Sequence, residues 1–375
     1  MRTTTDDIAR RIVDDGVAPA CAAGCAVRSG SWCREIGGAI DLEFDLASLT
    51  KPMTAVAVAR SGIDRRRPLG TFLPEARGTA SEHVPLELFL AHRAGLESHR
   101  PLYAPCLRGE RFDRSAALRE AASARRIDAI GEPPVEGFAP LYSDLGYILA
   151  GEALALDIGA NDAGEAIGRL VLDPLGISLE AGTVRDLAAR GIKGPFAPTE
   201  TVAWRGGAVV GEVHDENGWA LTGKGGSGHA GIFGTAGAVL AFGIAVLDAL
   251  DGIAGPFGTD VDLSWLVRAR SRPSAAEEGP ASGEAGPRVA QASTLRAGFD
   301  GKSGQGSSAG LRMGSRTFGH LGFTGTSLWI DPDAKVVVVL LTNRVCPSRD
   351  NSAIRVARPV AHDSLFERAT FLAHS

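Results

Sequence analysis

The sequence predicts a mixed α/β (α+β) chain in which an antiparallel β-sheet flanked by helices is assembled from both chain ends, with an all-helical subdomain inserted between them. Three observations carry this. Residues 22–40 read as a hairpin, residues from about 68 to 200 are helical and loop-rich with no convincing strand, and residues 317–342 hold three strand-like runs ahead of a helix.

The hairpin, AAGCAVRSGSWCREIGGAI, turns at Ser29-Gly30-Ser31. A helix follows at Met53 to Arg60; Pro52 fits only within or near a first helical turn, so that helix opens close to Ser48. Short helices are expected at Leu86 to His92 and Ala116 to Arg126, and a longer one at Tyr142 to Leu156, with Tyr142 at its mouth. A glycine-dense stretch, 205–235, leads into a helix at Ala236 to Leu250. Residues 271–293 are low-complexity and read as a flexible, solvated loop. Strands are expected at Thr317 to Gly322, Thr326 to Ile330 and Val336 to Thr342, the last a buried central strand on its four consecutive valines. A terminal helix runs from about Asn351 to Leu372. The expected division is a single domain, 1–375, with a sheet subdomain of about 1–67 and 230–375 and a helical subdomain of about 68–229.

Composition narrows the function. The 375 residues are 44% hydrophobic, enough for one large core or two smaller ones, which excludes a disordered chain. No run reaches the roughly 18 uninterrupted apolar residues of a membrane helix; the nearest, Ala236 to Leu250, is short and broken by glycine. The net charge of −5 lacks the basic balance of a nucleic-acid groove. Residues 1–13 have no basic-then-apolar layout, so no secretory signal is read; the expected location is the cytoplasm, or the periplasm if the true start lies elsewhere. Five cysteines, with Cys21, Cys25 and Cys33 clustered, argue against a disulfide framework, and a metal site there would need a fourth ligand that no nearby histidine supplies. No metal and no cofactor are expected.

Three small constellations could do chemistry. Ser48 and Lys51, three apart at a helix opening, share one helix face. The positive end of the helix favours a neutral lysine, and a buried, neutral Lys51 could take the proton of Ser48. Tyr142-Ser143-Asp144 puts a phenol at a helix mouth. His320-Leu321-Gly322 lies on an expected strand, where the glycine allows a substrate close to the backbone, and the next amide, of Phe323, could join that of Ser48 as an oxyanion hole. Each motif alone is short enough to arise by chance. His214-Asp215-Glu216 reads as a loop that shapes the cleft, and the glycine run 223–234 is not a phosphate loop, having no Gly-Lys-Ser/Thr at the right spacing.

Their order, and longer stretches around them, resemble the serine β-lactamase and penicillin-binding protein superfamily, nearest its class C-like branch of β-lactamases, D-Ala-D-Ala carboxypeptidases and family VIII esterases. The matching stretches include DLASLTKPMT at 45–54, LAHRAGL at 90–96, PLYSDLGYILAGE at 140–152, GHAGIFGTA at 228–236 and FGHLGFTGTSLWIDP at 318–332. The resemblance implies a β-lactamase/transpeptidase-like fold and a small-molecule or peptide-like acyl substrate. It makes Ser48 the acylated nucleophile, Lys51 its proton acceptor and Tyr142 the general acid/base. His320 takes the place of the usual lysine, and the amides of Ser48 and Phe323 bind the oxyanion. Asp144, Leu321 and Gly322 fall at substrate-binding positions.

Two departures from the pattern bear on substrate. Leu321 stands where a Thr or Ser hydroxyl usually helps hold a substrate carboxylate, a bond worth roughly 1.5–3 kcal/mol. Asp144 stands where Asn is common, removing an amide donor; paired with Lys51 it would raise the lysine's pKa and weaken it as a base. The resulting expectation is a cofactor-free serine hydrolase of esterase or amidase type. A D-Ala-D-Ala carboxypeptidase or β-lactamase, and a non-catalytic binding module on the same fold, are the alternatives.

Overall fold

The computed structural model describes residues 3–271, 294–304 and 306–374; the low-complexity 271–293 segment therefore lies almost wholly outside the described residues. Eleven short and long strands occur among them. The main sheet has the order β2-β1-β11-β10-β9-β8, every pair antiparallel. Its strands are β1 (Cys21–Ser29), β2 (Ser31–Gly38), β8 (Asp300–Gly301), β9 (Phe318–Leu321), β10 (Ser327–Asp331) and β11 (Val336–Thr342). The sheet is thus built from both ends of the chain, as the sequence predicts, and β1 and β2 turn at Ser29, Gly30 and Ser31.

β11 is central and buried at all seven positions. Its alternation settles what each face meets. Val336, Val338 and Leu340 pack with the helices Thr5–Asp14 and Ile354–Leu372, whereas Val337, Val339 and Leu341 pack with the helix Ala236–Leu250 on the other face. Each fully buried aliphatic side chain contributes about 1.5–3 kcal/mol, so this strand anchors both layers.

A second, three-stranded sheet, β3-β7-β4, joins Phe44–Asp45, Phe233–Gly234 and Ala181–Gly182. A two-stranded ribbon pairs β5 (Thr201–Val202) with β6 (Gly207–Ala208). The region read as free of strands therefore contains β4; a strand of two residues is too short to leave a period-two pattern. Its helices include Leu86–Leu90, Arg114–Ser123 and Asp144–Ile158. No helix of the described residues is long and apolar enough to cross a membrane.

The glycine-dense run packs backbone against backbone. Gly226 lies against Gly164, and Gly228 against Gly151 and the Tyr147 carbonyl, on two neighbouring helices. A Cβ at Gly228 would fall onto the Tyr147 oxygen. Gly228→Ala is expected to destabilise the fold by about 1–3 kcal/mol or more, read as a lowered thermal midpoint; an unchanged midpoint would contradict this packing.

Candidate active site

β3 delivers the chain to Ser48. Between them Ala47 has φ 48°, a left-handed conformation that costs a non-glycine residue roughly 1–2 kcal/mol. The buried carboxylate of Asp45 holds this turn, accepting from the Ala47 N–H at 2.8 Å and the His214 N–H at 2.7 Å. Burial lifts its carboxyl to about 6 in spite of those bonds. Ser48 then sits in a tight first turn, Ala47–Leu49, that runs into the helix Thr50–Ser61.

The turn after β9 is fastened to the same place: Thr324 Oγ1 donates to the Asp45 carbonyl at 2.8 Å and Thr326 Oγ1 to that of Leu46 at 3.0 Å. Gly322 is required by this contact, because a Cβ there would fall on Thr326 Oγ1 and the Leu46 carbonyl. The sequence reading assigned that glycine to substrate approach; its close neighbours are the protein's own Thr326 side chain and Leu46 carbonyl.

Lys51 is wholly buried. Its Nζ donates to Ser48 Oγ at 2.8 Å, lies 2.7 Å from Asp144 Oδ1 and reaches the His229 carbonyl at 3.5 Å. Burial alone would favour the neutral amine, but the Asp144 carboxylate, with Tyr142, more than offsets it and holds the ammonium above its ordinary pKa. The expected neutral Lys51 is corrected here: its burial is as foreseen, but the carboxylate beside it keeps the proton on Nζ.

Tyr142 stands beside Lys51, whose Nζ lies 4.9 Å from the centre of the phenol ring. Burial pushes that phenol above its usual pKa, with Lys51 acting against the shift. His92, which carried no assigned role in the sequence reading, stacks on Tyr142 with ring centroids 4.6 Å apart and accepts the Ser143 N–H on Nδ1 at 3.0 Å. It thereby fixes the loop-to-helix corner from which Tyr142 projects. His229 is held in turn by Asp215, Nε2 to Oδ1 at 2.7 Å, and Asp215 also caps the helix Glu216–Thr222 through the Gly218 N–H.

His320 on β9 is buried, and its Nδ1 lies 2.8 Å from the Leu321 carbonyl, so Nδ1 carries the proton and Nε2 the lone pair. Burial and the nearby Lys51 push its pKa down to about 3, leaving it neutral. A family lysine in this place would bring a charge that His320 does not.

Ser48, Tyr142, Asp144, Leu321, Gly322 and Phe323 all line one cavity of about 570 Å³. The Phe323 N–H has no acceptor among the described residues, and its carbonyl is clamped by Arg344, from Nε at 3.0 Å and Nη2 at 2.7 Å. Arg355 and Arg358 of the C-terminal helix face the same cavity. So does His214, buried, stacked on Phe323 at 5.7 Å and without a hydrogen-bond partner on either ring nitrogen among the described residues. The His214-Asp215-Glu216 loop, read from sequence as shaping the cleft, borders it. The arginine wall was not foreseen; only the folded C-terminal helix brings those residues to Phe323.

All three tyrosines of the chain, Tyr103, Tyr142 and Tyr147, are shifted above the ordinary phenol value of 10.0, chiefly by burial. At pH 10 the folded protein should therefore show less phenolate absorbance than urea-unfolded protein shows. A third of the full signal already present at neutral pH would mean that Tyr142 rests as phenolate, against this geometry.

The Beta-lactamase family model matches residues 33–362. Among solved structures, a class C β-lactamase mutant superposes with TM-score 0.63 at 17% identity, covering 97% of this chain and 96% of that one. EstCE1, described as a hydrolase with promiscuous acyltransferase activity, gives 0.64 at 18%, covering 96% of each. A simvastatin synthase mutant from Aspergillus terreus gives 0.66 at 14%, covering 98% of each. No protein of curated function matches the sequence. At such identities the superpositions establish a shared fold, and the match of the family model over most of the sequence establishes kinship: the chain belongs to the β-lactamase family.

Proposed function

We propose that the protein is a serine hydrolase that works through an acyl-enzyme on an ester or amide substrate. The observation that carries this reading is the 2.8 Å contact of buried Lys51 Nζ with Ser48 Oγ, at a serine that opens on a cavity. Ser48 Oγ attacks the acyl carbon while its proton leaves through Lys51. The carbonyl oxygen, now negative, is received by the amides of Ser48 and Phe323; one such donor is commonly worth about 10²–10³ in rate. Tyr142 gives its phenolic proton to the leaving group and serves water in the reverse sense during deacylation. His320, neutral, offers Nε2 as an acceptor beside Tyr142, their ring centroids 5.9 Å apart.

Leu321 favours an esterase-type substrate, since leucine cannot donate to a carboxylate, and Asp144 and Leu321 would meet the bound acyl group from the cavity lining. One observation favours the D-Ala-D-Ala carboxypeptidase or β-lactamase reading instead. Arg355 and Arg358 line the cavity with no carboxylate paired to them among the described residues, and a substrate carboxylate would complement them.

Intact-protein mass spectrometry separates the readings. Wild type and Ser48→Ala are incubated with a fluorophosphonate and with a fluorescent penicillin, and p-nitrophenyl butyrate hydrolysis is followed alongside. The expected result is a fluorophosphonate adduct and butyrate turnover that both require Ser48, with turnover falling roughly 10⁴–10⁶-fold in the variant, and no penicillin adduct. Penicillin acylation would move the assignment to the peptidase or β-lactamase reading. No adduct with any probe would leave a non-catalytic binding module.

A further inference from the structure

Lys51 and Asp144 form a charge pair at the centre of the site. The two side chains approach to 2.7 Å, with Lys51 fully buried and Asp144 only 22% exposed. The other oxygen of Asp144 faces His99 Nδ1 at 3.9 Å, and His99 lies 45% open to the cavity. The remaining titratable groups around Lys51 are Tyr142 and Tyr147 on the ring side, His92 and His320, both neutral, and the carboxylates Asp215 and Asp300 further off. Of all these, Asp144 alone forms an ion pair with Nζ among the described residues.

We propose that Lys51 and Asp144 act as one proton-holding pair, in which Asp144 keeps a proton on Lys51 in the resting site and accepts it when Ser48 passes its own proton to Nζ. Asp144 is thus a positioning residue for the base, acting through Lys51. The inference rests on the hydrolase reading of Ser48.

The step balances without any further reactant. Asp144 Oδ1 first takes one Nζ–H proton, which leaves Lys51 a neutral amine with a lone pair for Ser48. As the Ser48 Oγ–C bond forms, the Oγ–H bond breaks toward that lone pair and the electron pair of the C=O bond moves onto the oxyanion, so that Lys51 is again an ammonium and Asp144 is a carboxylic acid. When the intermediate collapses, the leaving group takes the Tyr142 proton, the phenolate is reprotonated from Lys51, and Lys51 recovers its proton from Asp144. An asparagine at this position can take no proton, so the lysine would have to begin the cycle as a neutral amine. With no carboxylate beside it, burial would drive Lys51 toward that amine.

The test is Asp144→Asn, a substitution that restores the residue common in the family at this point and so carries little risk to folding. Two measurements are made on wild type and variant: kcat/KM for p-nitrophenyl butyrate from pH 6 to 10, and the ¹⁵N signal of lysine Nζ over the same range. Only five lysines are present, Lys51, Lys193, Lys224, Lys302 and Lys335, and Lys51→Met assigns the signal of interest.

The pair predicts a level wild-type profile across pH 7–9. In the variant it predicts a loss of about 10²-fold or more at pH 7, partly recovered as pH rises, with the Lys51 ammonium titrating at lower pH than in wild type. A variant as active as wild type with an unchanged profile would overturn the proposal, as would a loss of activity with no new pH slope, which would make Asp144 a substrate contact only. If neither protein turns over or labels with a fluorophosphonate, the hydrolase reading fails. The Nζ titration still decides whether Asp144 holds the proton.

Discussion

One buried ammonium organises this molecule. Removing a lysine charge from water costs several kcal/mol unless its donors are met, and Lys51 meets its needs from three separate parts of the chain. Ser48 comes from its own helical turn, Asp144 from the start of the helix Asp144–Ile158, and the His229 carbonyl from the glycine-dense run. Each partner is anchored in turn: the Ser48 turn by Asp45, the Tyr142–Asp144 corner by His92, and His229 by Asp215. The close backbone packing at Gly226 and Gly228 is what lets the third part reach the lysine. Fold and site therefore share one constraint, the need to solvate a charge without water.

The electrostatic layout divides the cavity. Around Ser48 the groups are a tightly paired ammonium and carboxylate, a phenol and neutral imidazoles, a set suited to moving protons with little net charge. On the Phe323 side stand arginines, of which Arg349 is neutralised by Glu200 and Glu216, while Arg344 spends its donors on the backbone carbonyls of Phe323, Arg349 and Asn351. Burial, together with Arg344, pushes the Arg358 guanidinium down to about 10. Family members with a hydroxyl-bearing residue at position 321 have a neutral donor there; this chain has leucine, flanked by fixed positive charge.

Much of this was legible in the sequence, for identifiable reasons. The strands β1, β2, β10 and β11 and the helix after Ser48 announce themselves through alternation, the Val336–Leu340 run and the placement of Pro52. The helix Thr5–Asp14 was not read, although its Thr4–Asp7 capping box and the apolar Ile8 and Ile12 are local signals that could have revealed it. Ser48, Lys51, Tyr142 and His320 were legible from motif order, and the structure gathers them. The charge on Lys51 was harder: the helix opening and burial both argue for a neutral amine, and only the 2.7 Å contact reverses that balance. His92, the Asp215–His229 link and the arginine wall depend on contacts between residues far apart in the chain, and spacing carries no signal for them.

The central claim is that Ser48 forms a covalent acyl intermediate, and partitioning tests it most directly. Butyrate esters of p-nitrophenol, phenol and ethanol are hydrolysed in the presence of methanol, and the ratio of butyric acid to methyl butyrate is measured for each. If a common acyl-enzyme forms on Ser48, the leaving group has departed before water and methanol compete, and the ratio is the same for all three esters. A ratio that changes with the leaving group would mean that water attacks the substrate itself, and would contradict the account.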